Sequence, residues 1–197
     1  MIGLDNLSKM AILSFKNGLR LHFDSFILFE NKSFPSSVLL SVLSMEEFGK
    51  YFSLSSYVFY SEINESRDEE FEKEYLSRLY KHPFKQSMIF GRDGFKTSSE
   101  NFRKASQRYY EDLKQQSVYV GYRRNKGEFL YKEGINNPDS INSTKAKEQL
   151  VFLNDLIINF VKEQLDGLIE LDEPEVNDLL NLNLFNRLRN LKYTIES

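Results

Sequence analysis

Cysteine is absent from this chain, and histidine occurs only twice. Without cysteine the chain can form no disulfide framework, no thiolate metal site and no cysteine nucleophile. The two histidines stand in no ligand spacing such as HExxH, and the motifs GxxxxGK[ST], GxGxxG and GxSxG do not occur. We therefore expect neither a metal nor a cofactor.

Long apolar runs and an excess of positive charge are also missing. Nowhere do eighteen consecutive apolar residues occur, and the N-terminus lacks the basic and apolar regions of a signal peptide. We predict no membrane segment and a cytoplasmic location. The net charge is −3, so any contact with nucleic acid has to depend on local basic clusters.

The chain has 197 residues, of which 41% are hydrophobic and 28% charged, and this composition predicts one globular domain over residues 1–197. Apolar residues recur every three or four positions from Ile12 to Phe29, which predicts an amphipathic first helix. The second helix, about 36–62, is apolar on nearly every side and should lie at the centre of the fold.

Further elements follow from the same periodicities. A third helix should run through Leu79 and end or kink near Pro83. Alternating apolar residues around the turn RNKG predict a β-hairpin at about 117–131. Three more helices are predicted, at 101–116, 145–168 and about 174–194, the last with an apolar face suited to docking or dimerisation. The expected fold class is all-α: a bundle of long helices with one small β-hairpin insertion.

Three charged residues, Glu46, Glu47 and Lys50, interrupt the most apolar helix. Glu46 and Lys50 are four apart in the order that favours an ion pair on one face. A salt bridge at a point where the helix reaches solvent would explain them. Since the other faces are apolar, a buried site is the alternative, because a buried carboxylate must be paired, protonated or functional.

A basic cluster surrounds the second histidine, in SRLYKHPFKQ. Arg78 and His82 are four apart and project from one side of a helix, with Lys85 three residues further on. A guanidinium that holds phosphate and an imidazole that moves a proton are the groups that metal-free RNA cleavage requires. The alternative is a helix C-terminus whose basic residues only complement the dipole.

Two tracts interleave basic residues with tyrosine, FRKASQRYYEDLK (102–114) and YRRNKG (122–127). Such a mixture suits phosphate contact and base stacking, although a solvated helix face and a polar turn explain it equally well. The candidate residues for contact with RNA or a partner are Arg103, Arg108, Arg123, Arg124 and Lys126.

Three motifs together resemble the AbiV group of HEPN-domain proteins. They are LLSVLSMEEFGK (39–50), HPFK (82–85) and KQQSVYV (114–120), in this order and spacing. The resemblance covers about residues 4–165 and implies a HEPN-like helical bundle, a role in bacterial phage defence and a homodimer. Many HEPN proteins are metal-independent ribonucleases with an Arg-x4–6-His motif, whereas here only three residues separate Arg78 from His82.

The expected function is therefore that of an abortive-infection effector that shuts down gene expression or translation in infected cells. As a nuclease, it would use His82 as the general base, Arg78 and Lys85 to stabilise phosphorane charge, and Glu47 or Glu46 to orient His82. A non-enzymatic toxin that binds a phage protein or the translation machinery is the alternative, and a helical dimerisation module is a third. We also expect a phage-encoded protein trigger.

Overall fold

The structure is a computed structural model that describes residues 1–64, 67–90, 103–104, 107–122, 124–125, 128–131, 134–169, 171 and 173–196. Helices dominate these residues, as predicted for an all-α fold. The helices are α1 Leu4–Glu30, α2 Phe34–Asn64, α3 Glu69–Arg78, α4 His82–Met88, α5 Tyr109–Val118, α6 Ser143–Leu165, α7 Pro174–Leu179 and α8 Leu182–Glu196. Among the described helices, none is long and apolar enough to cross a membrane.

The long helix α2 lies at the centre of the bundle, as its apolar sequence predicts. It packs against α1, α4, α5 and α6, and buried residues occur along most of its length. Aromatic rings fill the space between α1, α2 and α6: the Phe15 and Tyr51 centroids lie 5.0 Å apart, and those of Phe52 and Phe160 lie 5.2 Å apart. This core holds α2 rigidly among its neighbours.

The third helix ends shortly before Pro83, as predicted, and a further short helix begins at His82. The Asp68 carboxylate accepts a hydrogen bond from the Phe71 amide at 2.7 Å and so caps the start of α3. α3 ends at Arg78, and Pro83 occupies the first turn of α4, where its missing N–H costs no helical hydrogen bond. Pro83 therefore starts a helix, and α4 carries His82 against α2.

The β-structure consists of two short antiparallel strand pairs among the described residues. Strand β1 (Gly121–Tyr122) pairs with β4 (Ile135–Asn136), and β2 (Arg124–Asn125) pairs with β3 (Glu128–Phe129), both antiparallel. The pair β2–β3 lies within the predicted hairpin range of about 117–131 and confirms it, although residues 117 and 118 belong to α5 and β4 lies beyond the range. Packing of α5 against α2 overrides the β-propensity of Val118.

The predicted C-terminal helix at about 174–194 is wrong in one respect, because it is two helices rather than one. α7 ends at Leu179, and Leu180 is buried. The Asn181 side chain then accepts a hydrogen bond from the Leu184 amide at 3.1 Å and caps the start of α8. The burial of Leu180 and the cap formed by Asn181 therefore separate α7 from α8.

His22 lies in the core between α1, α6 and α8. Its Nε2 atom is 2.8 Å from Asn154 Oδ1, and Asn154 Nδ2 donates to the Leu188 carbonyl oxygen at 2.9 Å. Burial lowers the pKa of His22 to about 4, despite the hydrogen bond with Asn154, because a buried imidazole disfavours its charged form. His22 is therefore neutral at pH 7 and joins three helices.

Candidate active site

Glu46 is a buried carboxylate on α2, only 1% exposed, and four polar side chains converge on it. His82 Nδ1 lies 2.6 Å from Oε2, and Gln86 Nε2 donates to Oε1 at 2.8 Å. The ammonium groups of Lys114 and Lys85 lie 2.9 Å and 3.3 Å from the carboxylate oxygens. Each carboxylate oxygen is thus satisfied twice, which is the condition for keeping a charge buried.

Helix α4 supplies three of these four side chains because their spacing places them on one face. Lys85 and Gln86 follow His82 by three and four positions, and residues at this spacing lie on one face of a helix. The close approach of α4 depends on Gly49: a Cβ atom there would lie 1.8 Å from the Lys85 carbonyl oxygen. Glycine at position 49 therefore permits the contact between Glu46 and α4.

The pKa of Glu46 lies below its ordinary value. Burial alone raises it, but hydrogen bonds from His82, Lys114 and Gln86 and the charge of Lys114 together outweigh this effect. Glu46 is consequently a carboxylate at neutral pH, although it is almost completely buried. A charged, buried acceptor of this kind fixes the position of the groups that donate to it.

A second buried carboxylate, Glu111 on α5, completes the arrangement. Lys114 Nζ lies 2.7 Å from Glu111 Oε2 and 2.9 Å from Glu46 Oε1, so one ammonium group joins the two carboxylates. Burial raises the pKa of Glu111, but hydrogen bonds from Lys114 and Gln115 lower it below its ordinary value. We name Glu46, His82, Lys85, Gln86, Glu111 and Lys114 the Glu46 cluster.

His82 is the member of the Glu46 cluster that reaches solvent, with 47% of its side chain exposed. In the neutral ring, a proton on Nδ1 is donated to the Glu46 carboxylate, and the lone pair is left on Nε2. No described side chain hydrogen-bonds to Nε2. The geometry therefore presents a proton acceptor to solvent, backed by a buried carboxylate, as in other acid–base pairs.

Metal-ligating atoms also meet in the Glu46 cluster. One ligand atom each from Glu46, His82 and Glu111 lies within 4.8 Å of the others. The ammonium group of Lys114, however, already lies within ion-pair distance of both carboxylates. A metal ion would have to displace this ammonium group, so the arrangement favours a metal-free site.

The candidate catalytic residues that the sequence identifies are partly brought together. Glu46, His82 and Lys85 meet, whereas Arg78 forms an ion pair with Glu74 on the exposed surface of α3. The expected pairing of Lys50 with Glu46 is not formed between these described residues, because α4 and α5 supply the partners of Glu46. Glu47 and Lys50 are half-buried on α2, and the described hydrogen bonds and ion pairs of Glu46 and His82 involve neither of them.

The sequence did not identify three members of the Glu46 cluster, Gln86, Glu111 and Lys114, as site residues. Two of them lie in or beside the family motifs: Lys114 is the first residue of KQQSVYV, and Gln86 directly follows HPFK. Glu111 carries no such signal.

The structure describes the side chains of two of the five candidate binding residues. Arg103 and Arg108 are exposed, and Arg108 has a left-handed backbone with φ 64° just before α5. Arg124 lies in β2, and the position of its side chain is outside the described structure. Arg123 and Lys126 lie outside the described residues. The predicted contact of these residues with RNA or a partner therefore stays a prediction.

Comparison with known proteins gives one match. The family model HEPN_AbiV, described as AbiV, matches residues 6–159, which is most of the chain and includes the whole Glu46 cluster. Neither a curated protein nor a solved structure matches the chain.

Proposed function

This chain belongs to the AbiV family of HEPN-domain proteins, and from this membership and the geometry of the site we propose that it is an abortive-infection effector in phage defence. Its proposed mechanism is metal-independent cleavage of RNA, with His82 as the general base. The resulting loss of RNA would shut down gene expression or translation in the infected cell.

One observation carries the catalytic part of this proposal, namely the 2.6 Å contact between His82 Nδ1 and the buried carboxylate of Glu46. A carboxylate behind an imidazole fixes the tautomer and stabilises the imidazolium that forms when the ring takes up a proton. Because His82 is half exposed, substrate can reach the ring while Glu46 remains out of contact with water.

The proposed step is an attack by a ribose 2′-oxygen on the adjacent phosphorus. His82 Nε2 accepts the 2′-hydroxyl proton, the O2′–P bond forms, and the bond from phosphorus to the 5′-oxygen breaks. The leaving 5′-oxygen takes a proton from water, and the His82 imidazolium returns its proton to the resulting hydroxide, so the products are a 2′,3′-cyclic phosphate and a 5′-hydroxyl. General base catalysis of this type contributes about 10²–10⁴-fold to the rate.

Two kinds of cation have different roles in this proposal. Lys85 and Lys114 neutralise Glu46, so that Lys85 is less available for the phosphorane charge than the sequence alone suggests. Arg78 remains the candidate for that role. Its ion pair with Glu74 is exposed at the surface, where such pairs are worth about 0–1 kcal/mol, and a phosphate group can displace it.

The decisive experiment compares His82→Ala and Glu46→Gln with the neighbouring substitution Glu47→Gln as the matched control. Each variant is tested for folding by circular dichroism, for protection of cells against phage, and for RNA integrity and end chemistry. We expect His82→Ala to remain folded and to lose cleavage by at least 10²-fold, whereas Glu47→Gln should act like wild type. Full cleavage and protection by folded His82→Ala would refute the nuclease mechanism.

A second function, action by binding alone, is favoured by the internal charge balance of the Glu46 cluster. Its two carboxylates, Glu46 and Glu111, are matched by two ammonium groups, those of Lys85 and Lys114. Such a balanced network can serve only to hold α2, α4 and α5 together. If infected cells are protected while their RNA stays intact, the protein acts instead on a phage protein or the translation machinery.

We also propose that the protein is a homodimer and that a phage-encoded protein triggers it, because a toxic effector must stay silent in uninfected cells. Light scattering of the purified chain tests the first proposal. A monomer at working concentration would contradict it.

A further inference from the structure

A groove of about 590 Å³ lies between the end of α2 and the start of α3, and none of its lining residues belongs to the Glu46 cluster. Four aromatic side chains line it, together with Arg67 and Asp68: Tyr57, Tyr60, Phe71 and Tyr75. We call it the α2–α3 groove. The mechanism proposed above uses none of these residues.

Three of the four rings are stacked on one another. Tyr75 lies 5.2 Å from Tyr57 and 5.9 Å from Phe71 between ring centroids, with interplanar angles of 22° and 23°. Tyr57 and Tyr75 are anchored through their hydroxyl groups, which donate to Glu72 and to the Ser53 carbonyl oxygen. The stack is therefore a fixed aromatic platform rather than a set of loose side chains.

The outer rings of the groove face solvent. Phe71 is 57% exposed and Tyr60 is 64% exposed, and the neighbouring Phe59 and Ile63 are exposed as well. Scattered exposed apolar residues need no explanation, but a contiguous patch beside a groove marks an interaction site.

The rim of the groove is acidic. The described residues of the segment 61–74 include six acidic and two basic side chains, and one of the acidic ones, Glu72, is buried. Of the basic ones, Arg67 is already neutralised, because its guanidinium pairs with buried Glu72 and also donates to the Ile2 carbonyl oxygen. The carboxylates of Asp68, Glu69 and Glu70 are exposed in the first turn of α3 and just before it.

Charge decides which partner fits this surface. A nucleic acid would bring its phosphates against these carboxylates, although its bases could stack on the rings. A two-fold interface between copies of the chain, centred on this groove, would set the acidic rim against itself. A cationic side chain can interact favourably with both the aromatic rings and the acidic rim, since aromatic faces attract cations and the rim carboxylates can pair with them.

We infer that the α2–α3 groove binds a basic segment of a partner protein, with an arginine or lysine side chain inserted between the exposed rings of Tyr60 and Phe71. This site does not depend on RNA cleavage, and it would remain if His82 proved to have no catalytic role.

The test uses the full chain and a hexa-arginine peptide as the probe, with binding followed by calorimetry. The neutral hexa-citrulline peptide is the matched ligand control. We expect Tyr60→Ala/Phe71→Ala to weaken binding by roughly tenfold, since each exposed cation–π contact accounts for roughly two- to fivefold. Because both rings are more than half exposed, the variant should fold, which a thermal melt checks.

Two controls separate the groove from general attraction to an acidic protein. Tyr193→Ala removes an exposed tyrosine from α8, and Glu148→Gln removes an exposed charge from α6. Both should bind the peptide like wild type. Glu70→Gln, which keeps every ring, should weaken binding and reduce its dependence on salt.

Four results would overturn the inference. The first is an absence of binding to hexa-arginine, and the second is equal binding of hexa-citrulline. The third is unchanged binding by Tyr60→Ala/Phe71→Ala, because non-specific charge attraction would then explain the binding. The fourth is a change of oligomeric state caused by the same double substitution, which would make the groove a contact between copies of the chain.

Discussion

Gly49→Ala is the sharpest test of how the fold builds the site. The added Cβ would lie 1.8 Å from the Lys85 carbonyl oxygen and 2.8 Å from its carbonyl carbon. Carbon–oxygen contacts between neighbouring backbones are ordinarily about 3.3 Å or longer, so α4 must retreat by about 1.5 Å at this point. Because the obstacle is backbone rather than a side-chain tip, no rotamer change can relieve the clash.

The retreat of α4 would reach the Glu46 cluster directly. His82 and Gln86 move with α4, and a shift of about 1.5 Å would lengthen the 2.6 Å contact between Glu46 and His82 to about 4 Å, which is no longer a hydrogen bond. Overpacking costs about 1–3 kcal/mol, and the better helix propensity of alanine returns up to about 1 kcal/mol. We therefore expect a loss of about 1–2 kcal/mol in unfolding free energy.

Gly18→Ala is the matched control, because it places the same methyl group against a side chain. There the Cβ meets the Phe48 ring at 3.2 Å, and a ring can yield by a few tenths of an ångström. Urea denaturation measures the unfolding free energy, and the NMR signals of the His82 ring report its hydrogen bond with Glu46. The reasoning fails if Gly49→Ala is as stable as Gly18→Ala and leaves the signals of His82 unchanged.

Two further predictions concern the buried charges. Lys114→Met leaves the carboxylates of Glu46 and Glu111 without their shared cation, so we expect the unfolding free energy measured in urea to fall by about 3–5 kcal/mol. Adding Glu111→Gln should restore part of this loss. A Lys114→Met variant as stable as wild type would contradict the prediction. His22 binds a proton near pH 6.5 when unfolded but only near pH 4 when folded, so stability is full above pH 6.5 and falls as the pH drops. Unfolding free energy at pH 5 should be about 2 kcal/mol below that at pH 7, and a His22 ring that titrates near 6.5 in the folded chain would disprove it.

Several features of the fold could be predicted because they depend on local sequence. Apolar periodicity indicated α1, the uninterrupted apolarity of α2 indicated its central position, and Pro83 indicated a break. The errors have local causes as well. Val118 favours a strand in isolation, but the packing of α5 against α2 keeps it helical. The turn at Leu180 depends on the burial of one side chain, which the periodicity of the last segment does not reveal.

The sequence by itself determined that this chain is a helical bundle of the AbiV family and that charged groups interrupt its central helix, since composition, periodicity and motifs are properties of the linear chain. Only the tertiary structure decided between Glu46 and Glu47. Adjacent residues on a helix point about 100° apart, and which of them meets a partner depends on where the other helices pack. Lys114, 68 residues away, became the counter-charge of Glu46 for the same reason: packing, not sequence separation, sets which charges meet.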